Sequence, residues 1–550
     1  MSQPHITLFT KPDCPYCVRA KTLLTQLGLD YEERDVKASS RNANASVSFS
    51  GISTVPQIFI GDYPVSGAKD LARLQKSQRL RSILGAVNGE LPSFDRISSQ
   101  DLHRNAEDYL LRRVISPHDG SHTDDPETWP ILNICQKIFG FWPHMFAYLS
   151  HWPEAYKLFV YCHGFSAVQL AKTYLGDANL YAVGYSTSKA HGCSYGQVHS
   201  TAVGGTESLE ALKQLRFARA GQADEHNPFS LLEMAIADLA AETTRSQINP
   251  VAMPALIGKL RLLSDSPAQV RGYLVGVEMM AATSGFLNVF NDLVGVEIEG
   301  DWAQQAKKQV DINVGHHGAS SHNLFNLNDD LPQGGPTLET MLAQYDAAVE
   351  NLQAYTRKEL GLFPAWMQAW PQPLVKRHAY FYCEIMGDRD HTLVPSELKH
   401  LMARVSAIAK DHTYLAAVEG FMAYHAAPKK TRAAERVQQC FAAATGRATD
   451  KTLFNAQERA ALQFAWISAQ MPLKTPHRFV QPVLDHYEPK ALIHLCVVCG
   501  MASMLQRFVA IARPEIEIQV AEFLYANNLE WDTLALRYPM PMAQAWPTAV

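Results

Sequence analysis

Cys14-Pro15-Tyr16-Cys17 follows the apolar run Ile6-Thr7-Leu8-Phe9 and precedes a helical pattern. That placement sets the first thiol at a helix N-terminus, where unpaired backbone N–H groups and the helix dipole favour the anion and lower its pKa below the free value of about 8.5. The second thiol can then resolve a mixed disulfide. A CxxC can also be half of a zinc site, but no second CxxC or CxxH follows within the next hundred residues to complete a tetrahedral set. A second thiol with chemical company lies in His191-Gly192-Cys193-Ser194-Tyr195-Gly196-Gln197-Val198-His199. Cys193 and His199, about two turns apart, fall within reach of one helix face, so the imidazole can serve the thiol or a bound substrate as acid or base. The histidines of Gly315-His316-His317-Gly318-Ala319-Ser320-Ser321-His322 are close enough to suggest a metal, yet a polar stretch rich in Gly and Ser reads as an exposed connector, and no metal is expected.

The residues around the first motif make it specific. With Lys11 three before Cys14, and Thr54-Val55-Pro56 before the strand-like Gln57-Ile58-Phe59-Ile60, residues 1–86 resemble a glutaredoxin. The resemblance implies an α/β thioredoxin-like fold, a cis peptide before Pro56 and glutathione as thiol partner. It further implies that Lys11, Tyr16, Thr54, Val55 and Pro56 border the tripeptide, and that Gly67 and Asp70 lie where its γ-glutamyl end is held. The stretch Ser66-Gly67-Ala68-Lys69-Asp70 departs from the Gly-Gly-Cys or Gly-Gly-Tyr usual there.

The segment around Cys193, preceded by the helical Tyr181 to Ser188, resembles the active-site motif of alkylhydroperoxidase D-like and carboxymuconolactone decarboxylase-like proteins. This second resemblance implies an all-α fold, symmetric homo-oligomers and a functional Cys193–His199 pair. Gly196 stands where that pattern has a second Cys, and Tyr181 where the peroxidase branch has a carboxylate. A peroxidase of that branch needs one thiol to attack and one to resolve the sulfenic acid. The resolving thiol would then come from elsewhere, and Cys14 with Cys17 supplies one.

These sites need a scaffold, and the chain has ample material for it. Its 550 residues are 47% hydrophobic and 19% charged, with a net charge of −5, which suits several globular domains and disfavours nucleic acid or an anionic membrane as partner. Apolar runs such as Ala491 to Met504 are too short and interrupted to span a bilayer. Nine irregularly spaced cysteines do not read as a disulfide framework, so a reducing cytoplasm is expected. Cys135, Cys162, Cys383, Cys440 and the helical pair Cys496 and Cys499 read as core.

Beyond residue 86 a polar stretch gives way to helical periodicity, and this remainder repeats at an offset of roughly 220 residues, too long for a solenoid unit. Gly140-Phe141-Trp142-Pro143 matches Gly361-Leu362-Phe363-Pro364, and Phe159-Val160-Tyr161-Cys162 matches Tyr380-Phe381-Tyr382-Cys383. An offset of 218 places Asp411 opposite Cys193 and Ala417 opposite His199, leaving the second copy without the site. The expected organisation is multidomain: a glutaredoxin domain at 1–86, a linker at 87–125, an AhpD-like helical repeat at 126–312, a connector at 313–336 and a degenerate second repeat at 337–550. Trp142, Trp152, Phe141 and Tyr195 are candidates to line an apolar substrate pocket.

Together these features predict a glutathione-linked thiol–disulfide oxidoreductase in which the Cys14/Cys17 dithiol reduces the Cys193/His199 site, acting on a hydroperoxide or other small oxidised or electrophilic substrate. A decarboxylase-like lyase or isomerase using His199, and a non-catalytic helical platform presenting a glutaredoxin, are the alternatives.

Overall fold

All five residues of Ile6–Thr10 (β1) are buried, as a central strand requires, and neighbours flank it on both sides. In the computed structural model the sheet order is β2-β1-β3-β4. The structure describes residues 4–538 apart from 88, 119–123, 204–228, 246–250, 305–313, 322–330, 333, 449 and 451. Strand β2 (Glu32–Asp35) pairs parallel to β1, while β3 (Gln57–Ile60) and β4 (Tyr63–Ser66) run antiparallel. Helices α1 (Pro15–Gln26), α2 (Ser40–Ser50), α3 (Ala68–Lys76) and α4 (Arg79–Ala86) complete a thioredoxin-like α/β domain.

The stretch at 87–125, expected to be a linker, is instead packed into its neighbours on both sides. Phe94 is buried among Phe9, Phe49 and Phe59, at ring-centroid distances of 5.5, 5.2 and 5.5 Å. Helix α5 (Ser99–Ala106) packs against α2 and buries Leu102 completely. Further on, Tyr109 N donates to Thr475 O at 2.8 Å, His477 N donates to Glu107 O at 2.8 Å, and Lys474 pairs with Asp108 at 2.9 Å. The segment is polar because few of its residues turn inward: Phe94, Leu102, the adjacent pair Leu110 and Leu111, and Ile115.

From residue 126 the described chain is helical. The first half comprises α6 (Trp129–Phe139), α7 (His144–Leu149), α8 (Pro153–Phe159), α9 (Val168–His191), α10 (Ser194–Val203), α11 (Leu231–Thr243), α12 (Ala252–Leu263) and α13 (Pro267–Val294). The second comprises α14 (Leu338–Ala347), α15 (Leu352–Leu360), α16 (Ala365–Gln368), α17 (Val375–Met386), α18 (Ser396–Ala409), α19 (Thr413–Ala426), α20 (Ala433–Ala444), α21 (Ala456–Ser468), α22 (His477–His486), α23 (Pro489–Ala512), α24 (Ile518–Ala526) and α25 (Thr533–Arg537). Helices α13 and α23 are long and apolar enough to cross a membrane, but both lie mostly buried inside the protein and pack on each other. Glycines permit that contact: a Cβ on Gly285 would stand 2.9 Å from Ser503 O, and one on Gly500 would stand 2.9 Å from Phe286 Cδ2.

One polar bracket recurs in both halves. Tyr195 OH donates to Glu299 Oε1 (2.9 Å), and the backbone N–H groups of His144 and Met145 meet the same two side chains. In the second half Tyr414 OH donates to Glu517 Oε1 (2.8 Å), and the N–H groups of Ala365 and Trp366 do likewise. The left-handed helix caps Gly192 (φ 97°) and Asp411 (φ 56°) keep the same register. Tyr195 opposite Tyr414 corrects the 218-residue alignment by one at this point: His412, not Asp411, stands opposite Cys193, and Val418 stands opposite His199. The matched anchors elsewhere carried a different offset, which a single shift could not follow.

The α/β domain is docked on the second half. Arg447 lies over the Tyr63 ring at 4.6 Å and donates to Pro64 O, and Arg478 lies over Phe49 at 4.3 Å. Tyr538, just past α25, joins the domain's own core with Leu8, Ile58 and Tyr63, and its hydroxyl donates to Val65 O at 3.0 Å.

Candidate functional site

Cys14 is the N-cap of α1, with Pro15 opening the helix, and its sulfur accepts the Cys17 N–H at 3.2 Å. Cys14 and Cys17 are joined as a disulfide, and Cys14 Sγ lies 3.8 Å from Val55 O, beside the cis peptide preceding Pro56. Around this sulfur, Lys11 and Thr54 are exposed, Tyr16 is half exposed, and Pro56 is buried. An exposed aromatic and lysine beside a capped sulfur leave room for a thiol partner to approach. At the other end, Asp70 Oδ2 accepts the Gly67 N–H at 3.4 Å. Its second oxygen, Oδ1, has no hydrogen bond and faces Arg537 at 3.7 Å, while Arg537 also pairs with Asp411 at 3.3 Å. A cation from the far end of the chain therefore stands at the carboxylate expected to meet the γ-glutamyl end of glutathione.

Cys193 repeats the capping geometry of Cys14. It precedes α10, and its sulfur accepts the Gly196 N–H at 3.4 Å. Unlike Cys14 it sits in the helical core with no exposed surface. Burial first, then the Asp292 carboxylate, pushes its thiol well above the ordinary range.

The expected Cys193–His199 pair is not formed. Six residues at about 100° each carry His199 roughly 120° around the helix from Cys193, and it instead places Nε2 2.7 Å from Glu299 Oε2, with its ring stacked on Tyr195 and edge-on to Trp302. The histidine against Cys193 is His317, whose Nε2 is 3.8 Å from Sγ. His317 comes from the stretch expected to be an exposed connector, yet it is fully buried. Parts of that connector, His322 among them, lie outside the described residues. Tyr181 lies within electrostatic reach of Asp177 and Lys172. Gly196 is enclosed: a Cβ there would stand 2.4 Å from Ser188 Oγ and 2.5 Å from Asn288 Oδ1. Trp142 donates to Tyr156 OH at 3.0 Å and Trp152 stacks on His494 at 3.7 Å, so both are core rather than pocket wall.

The hydrogen bonds fix where protons lie. His317 Nδ1 is 2.9 Å from Val296 O, and Nε2 is 2.9 Å from Asp292 Oδ1. Val296 O and Asp292 thus hold the His317 ring by both of its nitrogens, with the Cys193 sulfur against Nε2. Burial opposes the charge on Asp292, but the neighbouring His191 and His317 outweigh it and hold the carboxyl far below its usual range. Arg507 Nη2 donates to His191 Nδ1 at 3.2 Å, which leaves the His191 proton on Nε2, 3.3 Å from Asp292 Oδ2 but poorly aligned for a hydrogen bond. Burial lowers His191 to about 4, so it stays neutral. Cys193, Asp292 and His317 also bring three atoms of metal-ligating type within 4.8 Å of one another.

Asp292, His191, His317 and Arg507 belong to four separate stretches of chain, and sequence reasoning missed all but the His191 neighbourhood as partners of Cys193. The signal available was the pair of glycines around His316-His317, which bend that segment inward with φ values of 59° at Gly315 and 70° at Gly318.

A dithiol capping a helix beside a cis-proline, on a sheet of order β2-β1-β3-β4, defines a thioredoxin-like thiol–disulfide oxidoreductase. Comparison with known proteins narrows this: a family model described as Glutaredoxin matches residues 6–65. A glutaredoxin of Pseudomonas aeruginosa is 36% identical over 83 residues, 15% of this chain and 99% of that protein. Through its N-terminal domain the chain belongs to the glutaredoxin family, whose chemistry is glutathione-linked thiol exchange. It is also similar to a hybrid peroxiredoxin, hyPrx5, of Haemophilus influenzae, 41% identical over 71 residues, 13% of this chain and 29% of that protein. A crystal structure of the debrominase Bmp8 overlaps 33% of this chain and 91% of its own at 19% identity, with a TM-score of 0.27, too low to define a fold.

Proposed function

We propose that the chain is a glutathione-linked thiol–disulfide oxidoreductase in which Cys193 reacts with a hydroperoxide or another small oxidised substrate and is returned to the thiol by way of Cys14. The observation that carries this reading is the shared geometry of the two sulfurs, each capping a helix and accepting the N–H three residues on, with Cys193 additionally set against the hydrogen-bonded His317–Asp292 pair. The likeness to a protein named a hybrid peroxiredoxin supports a peroxide as the oxidant.

In the proposed cycle, the Cys193 sulfur attacks the outer oxygen of ROOH. The O–O bond breaks, sulfur is oxidised to the sulfenic acid, and ROH leaves with a proton. Glutathione condenses with the sulfenic acid, releasing water and forming a mixed disulfide on Cys193. The Cys14 thiolate takes the glutathionyl group and frees the Cys193 thiol. Cys17 then displaces glutathione from Cys14, and two further glutathiones reduce the resulting Cys14–Cys17 disulfide with release of glutathione disulfide; in the shorter route a second glutathione takes the glutathionyl group from Cys14 directly as glutathione disulfide.

The test is mass-spectrometric trapping of glutathione on Cys193, or of a Cys14–Cys193 disulfide, in the Cys17→Ser protein after treatment with hydroperoxide and glutathione. Hydroperoxide turnover is expected to vanish in both Cys14→Ser and Cys193→Ser. Turnover that survives Cys193→Ser removes the helical site from the reaction.

A further inference from the structure

A sulfur, an imidazole nitrogen and a carboxylate oxygen converge inside the first helical half. Cys193 Sγ lies 3.8 Å from His317 Nε2, His317 Nε2 lies 2.9 Å from Asp292 Oδ1, and the three atoms fall within 4.8 Å of one another. None of the three residues is more than 2% exposed. They come from separate stretches of chain: Cys193 follows the Gly192 cap of α9, Asp292 lies in the last turn of α13, and His317 sits in the tight turn that Gly318 ends. The sequence expects no metal because it reads residues 313–336 as an exposed connector, and the burial of His317 removes that ground.

The surroundings orient these groups as ligands. Val296 O only accepts, so His317 Nδ1, 2.9 Å away, carries a proton and Nε2 is the nitrogen turned to Cys193 and Asp292. A ligating histidine is fixed in this way, by an acceptor on its far nitrogen. The turn is itself pinned: Ser320 N donates to Ile298 O at 2.9 Å, and Arg112 donates to Gly295 O at 2.7 Å, to His316 O at 3.4 Å and to His317 O. The Gly196 N–H, 3.4 Å from Cys193 Sγ, supports a thiolate. His191 stays outside the set, because Arg507 donates to its Nδ1 and leaves the Nε2 proton toward Asp292 Oδ2. His316 brings a buried Nε2 that has no hydrogen-bond partner to 3.9 Å from Asp292 Oδ1.

Thiolate, imidazole and carboxylate together suit a borderline divalent ion, and zinc holds such atoms at about 2.0–2.3 Å. Tetrahedral angles then separate the ligand atoms by about 3.4–3.6 Å, inside the range from 2.9 Å up to 4.8 Å found here. One thiolate and one carboxylate also balance its two positive charges.

We propose that Cys193, Asp292 and His317 bind one divalent transition-metal ion of the zinc type, with His316 available as the fourth ligand. Binding sends the thiol proton and the proton shared by Nε2 and Oδ1 to solvent, and holds Cys193 as the thiolate. In the second half His412 and Ala510 stand where the first has Cys193 and Asp292, so each chain takes one ion. The site does not rest on turnover at Cys193, although the thiolate it fixes is the form that reaction uses.

The test uses the reduced full-length protein carrying Cys14→Ser and Cys17→Ser, so that the exposed dithiol takes no metal. Cobalt(II) is titrated and followed by absorbance, and zinc(II) is titrated in competition with a chromogenic chelator. One equivalent of each is expected, with a thiolate-to-cobalt charge-transfer band in the near ultraviolet. Cys193→Ser is expected to remove that band, His317→Gln and Asp292→Asn to weaken zinc binding roughly tenfold or more, and Cys496→Ser to change neither. The metal-free thermal midpoint of each variant reports that it folds. Absence of saturable uptake in the parent protein, cobalt binding without the thiolate band, or a band that survives Cys193→Ser overturns the proposal. Uptake as expected, alongside hydroperoxide turnover that survives Cys193→Ser in the otherwise unaltered chain, removes the redox reading and leaves the metal site standing; turnover that needs Cys193 without any uptake does the reverse.

Discussion

Gly196→Ala adds a single carbon at the position where the resembling pattern has a second cysteine, and the structure fixes what that carbon meets. It would lie 2.4 Å from Ser188 Oγ, 2.5 Å from Asn288 Oδ1 and 3.0 Å from Ser188 Cβ. Those two oxygens are bonded to each other at 3.0 Å in the interior, so relieving the clash means breaking that bond as well as moving two helices. Overpacking costs about 1–3 kcal/mol and a buried polar group left unpaired about 1–3 kcal/mol, against about 1 kcal/mol gained from replacing glycine in a helix. The net expectation is a loss on the order of 2–4 kcal/mol, by the same principles of overpacking and unpaired burial. Urea unfolding followed by tryptophan fluorescence measures it, and a double-mutant cycle with Ser188→Ala isolates the contact, since removing Oγ should return at least half of the loss. Wild-type stability in Gly196→Ala, or strict additivity with Ser188→Ala, would refute the argument. If it holds, Gly196→Cys cannot restore a resolving thiol without the same damage.

Two further outcomes follow from the charges. Arg537→Ala uncovers the Asp70 carboxylate and should lower the KM for glutathione severalfold in a disulfide-reduction assay, whereas an unchanged KM would show that Arg537 does not compete with the tripeptide. Burial, reinforced by Arg507, depresses Lys410 to about 7, so folding expels a proton between about pH 7 and the ordinary 10.5. Stability should therefore rise with pH through that window, by about 1.4 kcal/mol for each pH unit crossed. Lys410→Met should accordingly stabilise the protein by a few kcal/mol below pH 7, with no gain near pH 10.5. A gain that is flat with pH would refute it.

The dithiol site was legible because its chemistry is local: strand, cap, Pro-aromatic pair and Thr-Val-Pro all lie within 60 residues of sequence and fold on each other. The Cys193 surroundings were not, because Asp292 and His317 are 99 and 124 residues away and no periodicity connects them. His199 was misplaced because two turns along a helix is not one face unless the spacing is seven or eight. The polar stretch after residue 86 read as a tether because its buried apolar residues are few and spread out, and isolated side chains such as Phe94 and Leu102 leave only the short run at 109–111 to detect. The repeat was visible in its aromatic anchors, but loops of unequal length between them shift the register, which only the paired Tyr–Glu brackets reveal.

Tyr538 gives the order of synthesis an unusual shape. It completes the hydrophobic core begun by Leu8, Ile58 and Tyr63, yet it is translated 475 residues after Tyr63. At about 5–20 residues per second, the wait on the ribosome is roughly half a minute to a minute and a half. During that interval the first domain to emerge presents an unfinished face, with Tyr63 and Val65 uncovered, while the helical halves are still being made. The α/β domain leaves the ribosome before the helical halves yet is closed after them, and a chain truncated before Tyr538 keeps its dithiol while leaving that face open.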